Sequence, residues 1–154
     1  MLAASIALHI LAVILWIGGM FFAHFVLRPI VNQLLGLESR LTFLAAIFAK
    51  FFAFVWISII LLWLTGGAVI ILQGGMSQVL PYIHVMLGIG TVMTFLFMYL
   101  FFIPYTGLKH ALEARDFEEG IRKLATIRRI IFTNLTLGII TTILAIVGKY
   151  IPLF

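Results

Sequence analysis

The sequence predicts an all-α fold, an integral membrane bundle of four helices, and three observations lead there. Of its 154 residues 64% are apolar and 10% charged, mean hydropathy is +1.26, and four stretches are long and apolar enough to span a bilayer. Water-soluble domains are roughly half apolar and a quarter charged, and a core of this size cannot hide so many Leu, Ile and Phe side chains. Lipid is therefore the solvent, and crossing about 30 Å of hydrocarbon takes about 20 residues of helix.

Element by element, the expected spans are about 3–27, 51–72, 80–103 and 130–150, forming one domain over 1–154. The first stretch lacks a basic leader and is too long for a signal-peptide core, so it reads as a retained span. Pro29 follows it closely. Gly74 and Gly75 end the second span, and Pro81 suits the first turn of the third, where its missing N–H costs nothing. Pro104 is expected to close that span. Asp116 with Glu119 three residues on resembles a capping box, so the fourth helix is expected to begin well before its apolar stretch.

Nine of the ten basic residues fall in the linkers 28–50 and 104–129. By the positive-inside rule those linkers are cytoplasmic and both termini lie on the outer, periplasmic side. The net charge of +5 is then matched to anionic lipid headgroups, which Arg122, Lys123, Arg128 and Arg129 are expected to meet. No basic stripe interleaved with aromatics points to nucleic acid. Arg28 and Lys50, at the inner interface, are expected to snorkel or to pair with an anion. With no cysteine there is no disulfide or thiolate site, and all five acidic residues lie in the linkers. That disfavours a hydrolase or a carboxylate-driven pump. There is no tandem repeat and no phosphate-binding glycine loop.

An ionisable residue at membrane depth is costly and so marks a functional site by default. His9 in the first span and His84 in the third lie at nearly the same distance from the outer end of two parallel helices. Two such histidines suit bis-imidazole ligation of haem b inside a bundle, or copper, or a metal-free hydrogen-bonded pair. Gly18, Gly19, Gly88 and Gly90 remove bulk at the required depth, though small residues also let membrane helices approach closely. Trp16 and Phe95 are expected to line a macrocycle. His24 lies fifteen residues beyond His9, about 22 Å along the helix and about 60° around it; Met98 of the third span is its possible partner. Met20, Met86, Met93 and Met98 allow a thioether and imidazole path for Cu(I), or plain packing. Asn134, with Thr133, Thr136, Thr141 and Thr142, is expected to bond across helices or to touch a haem edge. His110 reads as a solvated linker residue.

Leu8-His9-Ile10, Leu15-Trp16-Ile17-Gly18-Gly19-Met20-Phe21-Phe22 and Val26-Leu27-Arg28-Pro29 resemble the first span of the CopD-like copper-resistance membrane proteins. Leu64-Thr65-Gly66-Gly67 resembles the end of that family's second span, and Arg128-Arg129-Ile130, Asn134-Leu135, Leu137-Gly138 and Gly148 its last. The resemblance implies a multi-pass protein of the bacterial inner membrane within a wider set that includes cytochromes b, with His9 and His84 at cofactor positions. A second likeness in plan is to the HemJ-type protoporphyrinogen oxidases, which carry His-x-Lys at the head of the third span; this chain has His84-Val85-Met86 there and lacks the lysine.

The reading that results is a cytochrome b-like membrane protein for electron transfer, an oxidoreductase or electron carrier. Its site is cofactor-binding residues His9, His84, Trp16, Gly19, Gly88, Arg28 and Asn134, and metal candidates His9, His84, His24, Met86 and Met98. Copper transport or resistance is the alternative, and a porphyrinogen-oxidising enzyme of haem biosynthesis the third. A quinone, a periplasmic redox partner and a homo-oligomer remain open.

Overall fold

The computed structural model describes residues 1–148 and Tyr150. Four long helices account for most of them: α1 (Leu2–Leu34), α2 (Leu37–Leu72), α3 (Pro81–Glu113) and α4 (Phe117–Val147), each long and apolar enough to cross a membrane. No strand occurs among the described residues. At 1.5 Å per residue, helices of 31 to 36 residues are about 45–55 Å long, well beyond the hydrocarbon thickness. The expected linkers 28–50 and 104–129 are accordingly not open loops. They are mostly helix, and the turns joining α1 to α2 and α3 to α4 shrink to a few residues.

Two prolines explain why the sequence reading stopped these helices early. Proline lacks an N–H and crowds the carbonyl four residues back, so it is read as a helix terminator. Here Pro104 does not close α3, and Pro29 does not end α1. In each helix the turn at or just before the proline is widened into a π-helix, at Phe22–Leu27 and at Phe101–Tyr105, and the helix continues beyond it. Thr106 adds its hydroxyl as a donor to the Phe101 carbonyl at 3.1 Å.

Other local expectations match the structure. Pro81 stands at the start of α3. The Asp116 carboxylate accepts from the Glu119 backbone N–H at 2.9 Å and caps α4. The α2–α3 turn passes through Gly74 and Gly75 at φ +99° and +93°, a region that residues with a Cβ enter only with strain. Arg115, at φ +56° in the α3–α4 turn, carries that strain. Lys149, the tenth basic residue, and 151–154 lie outside the described residues.

The helices follow one another antiparallel. His9 meets Thr65 across α1 and α2, Gly148 approaches Tyr82 across α4 and α3, and Ile17 lies against Gly138 across α1 and α4. Trp63 bonds to Thr94 between α2 and α3 at 3.3 Å. α1 and α3 thus run parallel on one diagonal.

The packed core runs from the level of Trp16 towards the end that carries the basic residues, through Met20, Phe48, Phe52, Phe97, Leu100, Leu124, Ile127 and Ile131. Phe52 is its hub, with edge-to-face neighbours Phe97 and Tyr105 at 5.5 and 5.0 Å and stacked Phe48 at 5.3 Å. Such pairs add about 0.5–1.5 kcal/mol each beyond area burial. Outside this core, large apolar side chains such as Ile14, Phe54, Phe95 and Ile143 stand exposed on every helix. In water an apolar surface of that extent is an aggregation liability; against lipid tails it costs nothing. The chain is a multi-pass membrane protein by this criterion.

Candidate functional site

His9 is half-buried on the face of α1 that meets α2. Its Nδ1 lies 2.9 Å from the Thr65 hydroxyl oxygen, and its ring edge lies 3.4 Å from where a Cβ on Gly66 would stand. A Cβ at 66 would thus be in ordinary contact with the imidazole, which packs directly on this stretch of α2. Thr65 is buried and donates its own proton to the Leu61 carbonyl at 2.5 Å. A threonine hydroxyl has one proton. Since that proton is committed to Leu61, the oxygen acts as acceptor towards His9 and Nδ1 carries the hydrogen. Nε2 is left with its lone pair, the state in which a neutral imidazole ligates a metal or accepts a proton.

His84 is on α3 and exposed. Its level agrees with the expectation more closely than its orientation does. Ile17 of α1 and Met93 of α3 both touch the site of a Cβ on Gly138, and Met93 follows Ile17 by 76 positions; His84 follows His9 by 75. Trp16 and Phe97, 81 positions apart, also meet, at 6.3 Å between ring centroids. The two contacts bracket an axial mismatch between the histidines of about one to six residues, or roughly 2–9 Å. Among the described residues no contact joins the two rings, and their helices are diagonal.

The remaining candidates separate clearly. Gly19 does not leave room for a macrocycle: a Cβ there would collide with the Phe51 ring, so the glycine admits a phenylalanine of α2. Trp16 is buried in the aromatic core against Phe97, and Phe95 points outward, 65% exposed. Gly18, Gly88 and Gly90 have nothing within 4 Å of an added Cβ. Near His9 the interior faces are looser than the core, with Gly66, Gly67, Met86, Leu87, Gly90, Thr141 and Leu144 only half-buried.

Asn134 is buried and donates from Nδ2 to the Met93 carbonyl of α3 at 3.2 Å, the expected bond across helices, while its Oδ1 has no partner among the described residues. Thr136, Thr141 and Thr142 instead bond back to carbonyls of their own helix, four residues earlier. His24, in the π turn, packs its ring on Phe132 of α4 at 5.0 Å and is not brought to Met98, which is half-buried on α3. Arg28 lies beside His24 in a cleft towards α4. His110 is exposed, 3.5 Å from Glu113, as a solvated residue should be.

The partner that the sequence reading missed is Thr65. It stood within Leu64-Thr65-Gly66-Gly67, but only the α1–α2 register reveals that it faces His9. The chain matches no known family profile, no curated protein and no solved structure.

Proposed function

We propose that this chain is a small membrane redox protein that holds a metal centre, haem b in the first instance, with His9 Nε2 as a ligand atom and His84 as the second. The observation that carries the reading is the chain of bonds from His9 Nδ1–H to the Thr65 hydroxyl and on to the Leu61 carbonyl. A metal-bound histidine characteristically has its far ring nitrogen held in this way, which fixes tautomer and ring orientation and raises basicity. Loose packing around His9, and the place of His84 at the same end of the bundle, support that end as the site. The exposed ring of His84 weighs the other way for a closed bis-histidine centre, so the His9 half of the site carries the proposal. The CopD-like motifs are in keeping with it.

The bound group supplies reversible one-electron chemistry. His9 and His84 would hold that group, and the Thr65 hydroxyl would orient the His9 ring. By the positive-inside rule the basic end faces the cytoplasm of a bacterial inner membrane, which puts His9 near the outer leaflet.

The test is the visible spectrum and metal content of the purified protein. Sharp reduced α and Soret bands, lost in His9→Ala and weakened in His84→Ala, are expected. A colourless protein with stoichiometric copper, lost in the same variants, assigns the copper reading and removes haem. Turnover of a porphyrinogen assigns the biosynthetic enzyme. A protein with no chromophore, no metal and no turnover overturns the proposal.

A further inference from the structure

At the opposite end from His9 the structure forms a second, unrelated feature. Between α1 and α4 lies an open cleft of about 390 Å³ lined by His24, Arg28, Ala125, Arg128, Arg129 and Phe132. Three of its six lining residues are arginines and none is acidic. A narrower, adjoining pocket shares His24, Arg28 and Arg128 and is otherwise lined by apolar side chains that include Leu44, Phe48, Leu124 and Ile131, so these two arginines border an apolar floor. Arg40 adds a fourth charge close by: Arg28 and Arg40 both act electrostatically on Arg128.

Nothing within the described residues balances this charge. The ion pairs there are His110–Glu113, Arg122 with Glu118 and Glu119, and Lys123–Glu119. Each involves a different basic residue. Arg128 Nε reaches only the Leu124 carbonyl of its own helix at 3.3 Å. Arg40 reaches the Asn32 side chain at 3.4 Å, and its Nε is buried without a partner. Bringing like charges together over an apolar floor is unfavourable unless an anion joins them, and arginine's planar fork is suited to the oxygens of phosphate.

We infer that this cleft binds a phosphate group, and that the group belongs to an anionic lipid. The lipid assignment rests on what borders the cleft. His24 stacks against Phe132 and meets Phe25 at 4.9 Å, and Phe25 continues to Phe21 at 5.0 Å. Phe21, Phe25 and Phe132 are each about half exposed. Phe25 and Phe21 form an apolar track up α1 from the arginines, with Phe132 of α4 beside its foot, and an acyl chain would follow it with its headgroup in the cleft. A free phosphate ion has no use for such a track. The site also stands apart from the proposed metal centre, fifteen residues or about 22 Å along α1 from His9.

The experiment is thermal unfolding of the full chain in a neutral detergent, followed by tryptophan fluorescence, while short-chain phosphatidylglycerol, short-chain phosphatidylcholine or inorganic phosphate is titrated in. Phosphatidylglycerol is expected to raise the midpoint saturably, with at least tenfold tighter binding than phosphatidylcholine. Arg28→Gln with Arg128→Gln should weaken the phosphatidylglycerol effect at least tenfold. Arg129→Gln, at an exposed position that leaves the fold intact, should weaken it severalfold, and Lys109→Gln, outside the cleft, should leave it unchanged. Equal shifts with both lipids, or unaltered binding in both the double variant and Arg129→Gln, overturn the inference. A saturable shift by inorganic phosphate matching that of the lipid, and lost in the same variants, overturns the lipid assignment and makes the free ion the ligand.

Discussion

Replacing Thr65 by valine tests the arrangement around His9 more sharply than replacing the histidine itself. Valine keeps the size and branching of threonine but removes the oxygen 2.9 Å from His9 Nδ1. Two losses follow. The bond itself is worth about 0.6 kcal/mol on average between membrane helices, with an upper end near 1.7. The imidazole N–H, half-buried and facing Gly66, is then left unpaired, and an unsatisfied buried donor costs about 1–3 kcal/mol. The Leu61 carbonyl loses little, because it keeps its helical partner. A destabilisation of about 2–4 kcal/mol is expected, a fall in Tm of roughly 4–16 °C by the scaling for domains of this size. Thr65→Ser keeps the hydroxyl and should cost much less.

If His9 Nε2 is a ligand atom, Thr65→Val also lowers the affinity for the metal or haem about 10–100-fold, the usual effect of removing the group that orients a ligating histidine. The assays are thermal unfolding in detergent and titration of the purified apoprotein with haem or Cu(I), with serine and valine variants side by side. Valine and serine variants that behave alike in both would show that the hydroxyl does not set the state of the ring, and the reasoning fails.

Three further outcomes follow from the packing. Gly19→Ala should cost about 1–3 kcal/mol, the usual range for overpacking, and Phe51→Ala in the same chain should recover part of it; additive losses in the double variant would show that the two side chains do not meet. Asn134→Leu removes one bond together with a buried oxygen that has no partner among the described residues, and the Met93 carbonyl keeps its bond within α3, so the cost should stay within about 1 kcal/mol, the net worth of one hydrogen bond; a loss of several kcal/mol measured by thermal unfolding would mean that Oδ1 has an essential partner. Lys123 and, after it, Arg122 hold the Glu119 carboxyl below the usual carboxylate range. A lowered acid stabilises the fold above its ordinary range and loses that contribution as pH falls through its folded value. The Tm difference between wild type and Glu119→Gln should therefore be present at neutral pH, small because the pair is at the surface, and shrink progressively as pH falls through the ordinary carboxylate range and below it; a difference that grows in acid contradicts this.

The spans were legible because hydropathy, Pro81 and the Asp116–Glu119 cap each depend on residues close in sequence. The lengths of α1 and α3 were not. Pro29 and Pro104 carry the local mark of a stop, and only the widening of the turn beside each lets the helix proceed. The site was legible in part for the same reason. A histidine within an apolar run stands out on its own, and so does a buried asparagine. What Gly19 admits, what His9 bonds and which arginines gather around His24 all depend on the register between helices, and side-chain identity alone does not contain it. Gly19 shows this well: a small residue announces that something comes close, without saying whether it is a cofactor or Phe51.

The short turns at the basic end have a practical consequence. They tie α1 to α2 and α3 to α4 as two tight hairpins, and only the segment 73–80 joins one hairpin to the other. What holds the halves against each other is noncovalent: Trp16 and Trp56 on Phe97, Ile17 on Gly138, His24 on Phe132. Separate expression of residues 1–74 and 75–154 should thus yield fragments that reassemble within the bilayer, each carrying one of the two histidines on which the proposed centre depends.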